Sequence, residues 1–322
     1  MKLALAGDTM LGRGVAEALT AGGPEPLAAE VVEAAAEADL FVLNLECCIS
    51  ERGDRWPAAG KPFFFRAPPR AAEILAGAGV DCVTLANNHA LDFGEPALLD
   101  TFEHLRAAGI GWAGAGPDLD AARAPARLTA GLDPLLVIAL SDHPPDFAAT
   151  PERAGVAFAD LRRGVPDWLV RAVSDAARSV PVLVSPHWGP NMTPEPLAYV
   201  RRAAGALRAT GATLVAGHSA HVFHGVEPGV LYDLGDFVDD YAVDARLRND
   251  LGLLFLVTVR DGRAVHLEGL PLKLEFCHTR LAAGEEAAWV GRRFRSACQA
   301  LGTEVQWSGG RLVASLEPGS GG

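Results

Sequence analysis

Lysine is scarce in this chain: Lys2, Lys61 and Lys273 are the only three among 28 basic residues, against 40 acidic ones. The formal net charge is −12, which argues against general nucleic-acid binding and against adhesion to an acidic membrane surface. Alanine is abundant where lysine is rare, a bias we ascribe to genomic base composition rather than to function. The five cysteines (Cys47, Cys48, Cys82, Cys277 and Cys298) are odd in number and lack CxxC spacing. A disulfide scaffold and a structural zinc knuckle are thereby disfavoured, and a reducing compartment is expected. Long apolar runs are missing too. "MKLALAGDTM" offers a short run before Gly7 and Asp8, too brief for a signal sequence, and no later stretch approaches the roughly 18 apolar residues of a membrane span. A cytoplasmic location is expected. Neither GxGxxG nor GxxxxGK[ST] occurs in a strand–loop–helix context, so a nucleotide-binding reading lacks its usual signature.

What the chain does have is a steady alternation of short apolar runs with longer amphipathic stretches, the pattern of layered α/β proteins. Strands are expected at "KLALAG", "LFVLNLE", residues 80–86, "PLLVIAL", "VPVLVSPHWG" and "ATLVAGHSAH". Helices are expected near 14–21, 27–38, 68–79, 95–109, 165–178 and 194–211. From residue 222 the style changes to successive strands joined by tight turns, with Asp261-Gly262 as a hairpin signal, before a last helix near 284–301. One domain over residues 1–316 is expected, with mixed sheets face to face and helices outside, followed by a disordered tail at 317–322.

The residues that follow these strands form a pattern. The first strand runs into Asp8, the second into Glu46, the third into Asn87-Asn88-His89, and "PLLVIAL" into Ser141-Asp142-His143. "VPVLVSP" ends at His187, "ATLVAG" at His218 with His221, and "VLYDLG" at Asp236. The carboxyl ends of parallel strands form the usual ligand crevice of α/β sheets. Alone, each residue has a plainer explanation: Asp8 can cap a helix, the two asparagines can close a turn, and His187 can be a satisfied buried histidine. Together they are the carboxylate, amide and imidazole donors that first-row divalent cations select. Close carboxylates repel unless a cation lies between them. A metal site is therefore expected. His104, His266 and His278 fall outside the pattern and are assigned to surface or packing roles.

Six stretches in order, "GDTMLGR" (7–13), "NLECCIS" (44–50), "ANNHALDFG" (86–94), "HWG" (187–189), "GHSAHVFHGVE" (217–227) and "LGDF" (234–237), carry a resemblance. The chain resembles the CapA family of poly-γ-glutamate capsule-synthesis proteins, which are similar to calcineurin-like metallophosphoesterases. The resemblance implies a four-layer αββα sandwich with a dinuclear metal site at the strand ends. It implies Asp8 as a first-motif ligand and Glu46 in the bridging carboxylate position. Asn88, His187 and His218 would serve one ion and His221 the other, with manganese, zinc or iron as the candidates. His89 takes the place of a charge-stabilising or proton-donating group. The chain departs from the family pattern at Met10, where a second first-motif ligand is usual, and at Asp236, where Asn is common. From its first residues, no N-terminal membrane anchor of the kind classical capsule proteins carry is expected.

The chemistry expected of such a site is hydrolysis of a phosphoester or an amide (γ-glutamyl) bond by metal-activated water. Arg13 and Arg66 are candidates to orient an anionic substrate, with Asn87, Asp142, His143 and Asp236 as further substrate-side residues. For Arg13 a surface role, and for Asp142-His143 a capped turn, are equally good readings. A small or modest anionic substrate is expected rather than a long polymer, which a chain at −12 repels unless metals and arginines gather locally. The alternative is a non-catalytic binding or assembly component of poly-γ-glutamate synthesis.

Overall fold

The computed structural model describes residues 1–23, 25–57 and 60–317. The runs "KLALAG" and "LFVLNL" do not alternate because their strands, Lys2–Thr9 and Leu40–Leu45, are buried almost throughout, as strands covered on both faces must be. They pair in parallel, and Cys82–Thr84 and Gly111–Ala113 extend the parallel set. On the other side of Lys2–Thr9 the pairing turns antiparallel through Leu251–Arg260 and Arg263–Glu275. Asp261 and Gly262 both take positive φ between these two strands, the backbone that a two-residue hairpin of matching twist requires. This mixed sheet has ten strands, and a second has six. The centre of the second is a parallel set of Asp133–Ser141, Val182–His187, Leu214–Ala216 and Val230–Leu231.

Eight helices lie among the described residues: α1 (Arg13–Thr20), α2 (Ala29–Ala35), α3 (Arg70–Gly77), α4 (Gly94–Ala107), α5 (Leu119–Arg123), α6 (Asp167–Ala177), α7 (Ala198–Thr210) and α8 (Gly284–Gln299). The alternation along Val182–His187 shows how they are layered. Leu183 joins the core shared with Leu3, Leu5 and Val42 of the first sheet, while Val182 and Val184 join a separate core with Leu169 of α6 and Leu207 of α7. One face of each strand therefore meets the other sheet and the opposite face meets helices. The expected αββα layering is what forms. No helix among the described residues is long and apolar enough to cross a membrane.

Three parts of the fold depart from the sequence reading. Residues 111–130 carry two short strands, α5 and the edge strand Ala126–Ala130. Cys48–Ile49 pairs with Arg66–Ala67 in a small separate sheet. After α8 the chain is not merely a tail: Gln306–Ser308 and Arg311–Ser315 form a hairpin that continues the large sheet. These strands are too short to show a period, and distant pairing alone defines them. Of the expected disordered tail at 317–322, residues 318–322 lie outside the described residues. All five cysteines are free and buried.

Candidate metal centre and cleft

Side chains at the carboxyl ends of the two parallel sets come together. Asp8 lies where the register slips between Lys2–Thr9 and its neighbours, a bulge that re-aims the side chain. Gly7 makes this possible, since a Cβ there would sit 1.8 Å from the Gly235 carbonyl oxygen. Asp8 pairs in register with Asp236, and the Asp8 N–H donates to the same Gly235 carbonyl at 2.8 Å. From the second sheet, His187 and His218 form an isolated parallel bridge. His218 Nδ1 stands 3.1 Å from Asp8 Oδ1, His221 Nδ1 stands 3.4 Å from Asp8 Oδ2, and His187 Nε2 stands 3.5 Å from Glu46 Oε1.

Both local histidines thus turn to one carboxylate. The left-handed residues are Ser219 and His221, while Gly217 admits the Trp188 indole, whose Nε1 would lie 2.4 Å from a Cβ at that position.

Two groups of donors have atoms within 4.8 Å of one another: Asp8, Glu46 and His187, and Asp8, His221 and Asp236. The resemblance implies Glu46 in the bridging place, yet the residue common to both groups is Asp8. Asp236, expected on the substrate side, hydrogen-bonds His221 Nδ1 through Oδ1 at 2.7 Å and completes the second group. Met10 is buried, and its sulfur accepts the Gly12 N–H.

Several of the donor atoms lack other partners, which fits a cation. Among the described residues, both oxygens of Glu46, both ring nitrogens of His187, Nδ1 of His218, Oδ1 of Asn88 and Oδ2 of Asp236 are buried without a hydrogen bond. Leaving so many ionisable atoms dry and unpaired is costly unless a positive charge sits among them. Burial pushes the Glu46 carboxyl well above the usual range, with the fields of Asp8 and Asp236 adding to it. Burial likewise raises Asp236 and drives His187 well below its ordinary value, leaving a neutral imidazole suited to coordination. Asp8 is the exception. Burial would raise it, but the close approach of His218 Nδ1 and the fields of His218, His221 and His187 hold it below the usual carboxylate range.

Around this centre runs a network that sequence reading did not include. Asn44 Nδ2 donates to Asp8 at 2.8 Å, and Asn44 Oδ1 accepts from Thr84 and Asn87. The signal was present, since Asn44 is the one polar residue in "LFVLNL". Asn87 is fully engaged here: its amide donates to Asn44 and the Leu45 carbonyl, and its Oδ1 accepts the His89 N–H. It is fully buried and shapes the turn that presents Asn88 and His89, with no atom left for substrate.

His89 Nδ1 pairs with Asp92 Oδ2 at 2.6 Å. Asp92 also accepts the Phe65 N–H at 2.7 Å and meets Lys61 Nζ at 3.0 Å. The Phe65 ring stacks on His89 with centroids 4.0 Å apart. Burial lowers the His89 pKa, against the pull of Asp92. With Nδ1 engaged, Nε2 is the ring nitrogen left for chemistry. Asp92 and Lys61 were missed because a carboxylate three residues past a turn and a lone lysine in a loop look ordinary in sequence.

A cavity of about 400 Å³ is lined by Asn88, His89, Lys61, Phe63, His143 and Asn191, among others. His143 reaches it while its Nδ1 pairs with Asp142 at 2.5 Å, and its ring lies 5.3 Å from that of His187. Asp142 itself is buried and accepts from Tyr199 Oη and the Gly189 N–H. Arg13 pairs with Asp240 at 3.2 Å and lies over the rings of Phe63 and Phe65. Arg66 turns elsewhere. It stacks on Phe93 and donates to the carbonyls of Arg52 and Gly53, away from the metal donors.

The profile of the family described as "Bacterial capsule synthesis protein PGA_cap" matches residues 2–241. A protein of Mycobacterium tuberculosis H37Rv, named a probable polyglutamine synthesis accessory protein, is 32% identical over 289 residues, covering 83% of this chain and 74% of its own. The PGA biosynthesis protein CapA of Bacillus subtilis is 26% identical over 241 residues, covering 73% of this chain and 62% of its own. Among solved structures, a hypothetical protein from Thermus thermophilus aligns with a TM-score of 0.47 at 16% identity, over 85% of this chain and 99% of that one.

Proposed function

Because the chain belongs to the bacterial capsule synthesis protein family PGA_cap, we propose that it is a metal-dependent hydrolase acting on a phosphoester or γ-glutamyl amide bond of a small or modest anionic substrate. The observation that carries this reading is the pair of buried donor groups sharing Asp8, set beside the His89–Asp92 pair. Asp8, Glu46 and His187 would hold one divalent cation and Asp8, His221 and Asp236 a second, with Asn88 and His218 alongside. Mixed carboxylate and imidazole donors suit manganese, zinc or iron. Bound there, such ions supply Lewis-acid polarisation of the scissile group and a water of lowered pKa.

The chain's own residues do the rest. Asp92 orients His89 and favours its imidazolium, and in that form the Nε2–H would protonate the leaving group or stabilise developing charge. Lys61 holds the far side of Asp92, and Phe65 fixes the plane of the imidazole. His143, which lines the same cavity, would contact an anionic group of the substrate. Arg13 is already paired with Asp240 and sits further out, at the aromatic rim.

A second reading, a non-catalytic accessory of polyglutamate synthesis, is favoured by the name of the mycobacterial relative. The test is hydrolysis of bis-p-nitrophenyl phosphate and of γ-glutamyl-p-nitroanilide with added Mn²⁺. Metal-dependent turnover that is lost in His89→Ala supports the hydrolase. A folded, metal-loaded protein with no turnover of either compound supports the accessory.

A further inference from the structure

The chain carries 28 basic residues against 40 acidic ones, so a cavity lined by arginines with few acids runs against its overall charge. Such a cavity, about 930 Å³, lies between α7 and α8. Arg201 and Arg202 of α7 line one side, and Arg292 and Arg293 of α8 line the other. Glu195 is the sole acid among its lining residues. The arginine–carboxylate pairs found among the described residues lie elsewhere, at Arg13, Arg52, Arg248, Arg280 and Arg311 for example.

The site is partly built in advance. Arg293 is set against the rings of Phe223 and Trp289, at 5.6 and 5.8 Å, and donates to the Pro194 carbonyl. Its Nε is buried and has no partner among the described residues. Arg202 and Arg292 are exposed and free to close on a ligand, while Arg201, also exposed, lies against the Tyr232 hydroxyl. Ala198, the first residue of α7, also lines the cavity, and no side chain caps that helix start. Its free N–H groups and positive end add to the guanidinium field. Four like charges brought together repel unless something negative joins them.

We propose that this cavity is a second anion-binding site, separate from the metal centre, which takes a multiply charged oxyanion through the forked donors of Arg201, Arg202, Arg292 and Arg293. Planar guanidinium groups match carboxylate and phosphate oxygens alike, in pairs of parallel hydrogen bonds. The volume suits a ligand with several such groups rather than one small ion. The site also lies close to the cleft at the metal centre: Asn191 lines that cleft and Pro194 lines this cavity. Three residue steps span at most about 11 Å. The proposal does not depend on the hydrolase reading, because it concerns binding alone.

The test is calorimetric titration of the full chain with tripolyphosphate and with tetraglutamate, against the double variant Arg202→Glu/Arg292→Glu. Both substituted residues are exposed on helices, so the fold should persist, and circular dichroism checks it. The expected result is saturable, salt-sensitive binding of at least one probe, weakened about tenfold or more in the double variant while metal content is unchanged. Binding of tetraglutamate alone assigns a carboxylate ligand, and binding of tripolyphosphate alone a phosphate ligand. Saturable binding of neither probe overturns the proposal, as does equal binding by wild type and variant.

Discussion

His89 and Asp92 are joined, Nδ1 to Oδ2, at 2.6 Å, directly after Asn88, whose Oδ1 is buried and unpartnered. The pairing fixes which ring nitrogen is free and anchors the ring without using a metal ligand. His89→Ala is therefore expected to keep metal content near wild type while lowering kcat by roughly 10²–10⁴-fold, the range for a lost acid–base or charge-stabilising group. Stopped assays alongside elemental analysis check this. Loss of metal together with activity would make His89 a ligand instead.

Gly7 and Gly205 give opposite expectations for the same substitution. At Gly7 an added Cβ would meet the Gly235 carbonyl oxygen at 1.8 Å, a backbone atom held by the Asp8 N–H. Gly7→Ala should cost about 3 kcal/mol or more, since overpacked backbone cannot relax cheaply. Gly205 lies within α7 with nothing near its Cβ position. Gly205→Ala should stabilise by about 0.5–1 kcal/mol through helix propensity. Urea melts of the two variants decide both. A neutral Gly7→Ala would mean the Asp8 bulge is not built on that close approach.

His224 gives a pH dependence. Burial, aided by the charge of Arg293, pushes its pKa down to about 4, against a hydrogen bond to the Thr193 carbonyl. An unfolded histidine titrates near 6.5, so on acidification the unfolded chain takes up this proton first. The stability due to neutral His224 is then complete above about pH 6.5 and is lost as pH falls toward 4, at most about 3 kcal/mol. His224→Gln keeps a hydrogen-bond donor but does not titrate. The stability of wild type minus that of the variant should fall across this window, and a flat difference would contradict the assignment.

Much of the centre was legible because polar residues directly after buried apolar strands have few other reasons to be there. Asp8, Glu46, His187, His218 and His221 are of that kind, and the strands that carry them read correctly. What could not be read was where a side chain directs its donors. Asn87 and Asn88 are neighbours of identical chemistry, yet Asn87 is taken up by Asn44 and Leu45 while the Oδ1 of Asn88 stays unpartnered. Arg66 follows three aromatics as Arg13 precedes them in space, but its guanidinium settles on Phe93. The sharing of Asp8 between two donor groups depends on a bulge and on contact between two sheets, neither of which has a local signature. The arginine cavity arises the same way, from two helices far apart in sequence.

The central claim, that the donors around Asp8 form a metal centre, is tested most directly by counting metal. Protein incubated with Mn²⁺, freed of excess ion by gel filtration and measured by elemental mass spectrometry should hold about two ions per chain. His218→Ala/His221→Ala, with circular dichroism matching wild type, should hold substantially less. A folded double variant with undiminished metal, or a folded wild type that binds none, would contradict the account.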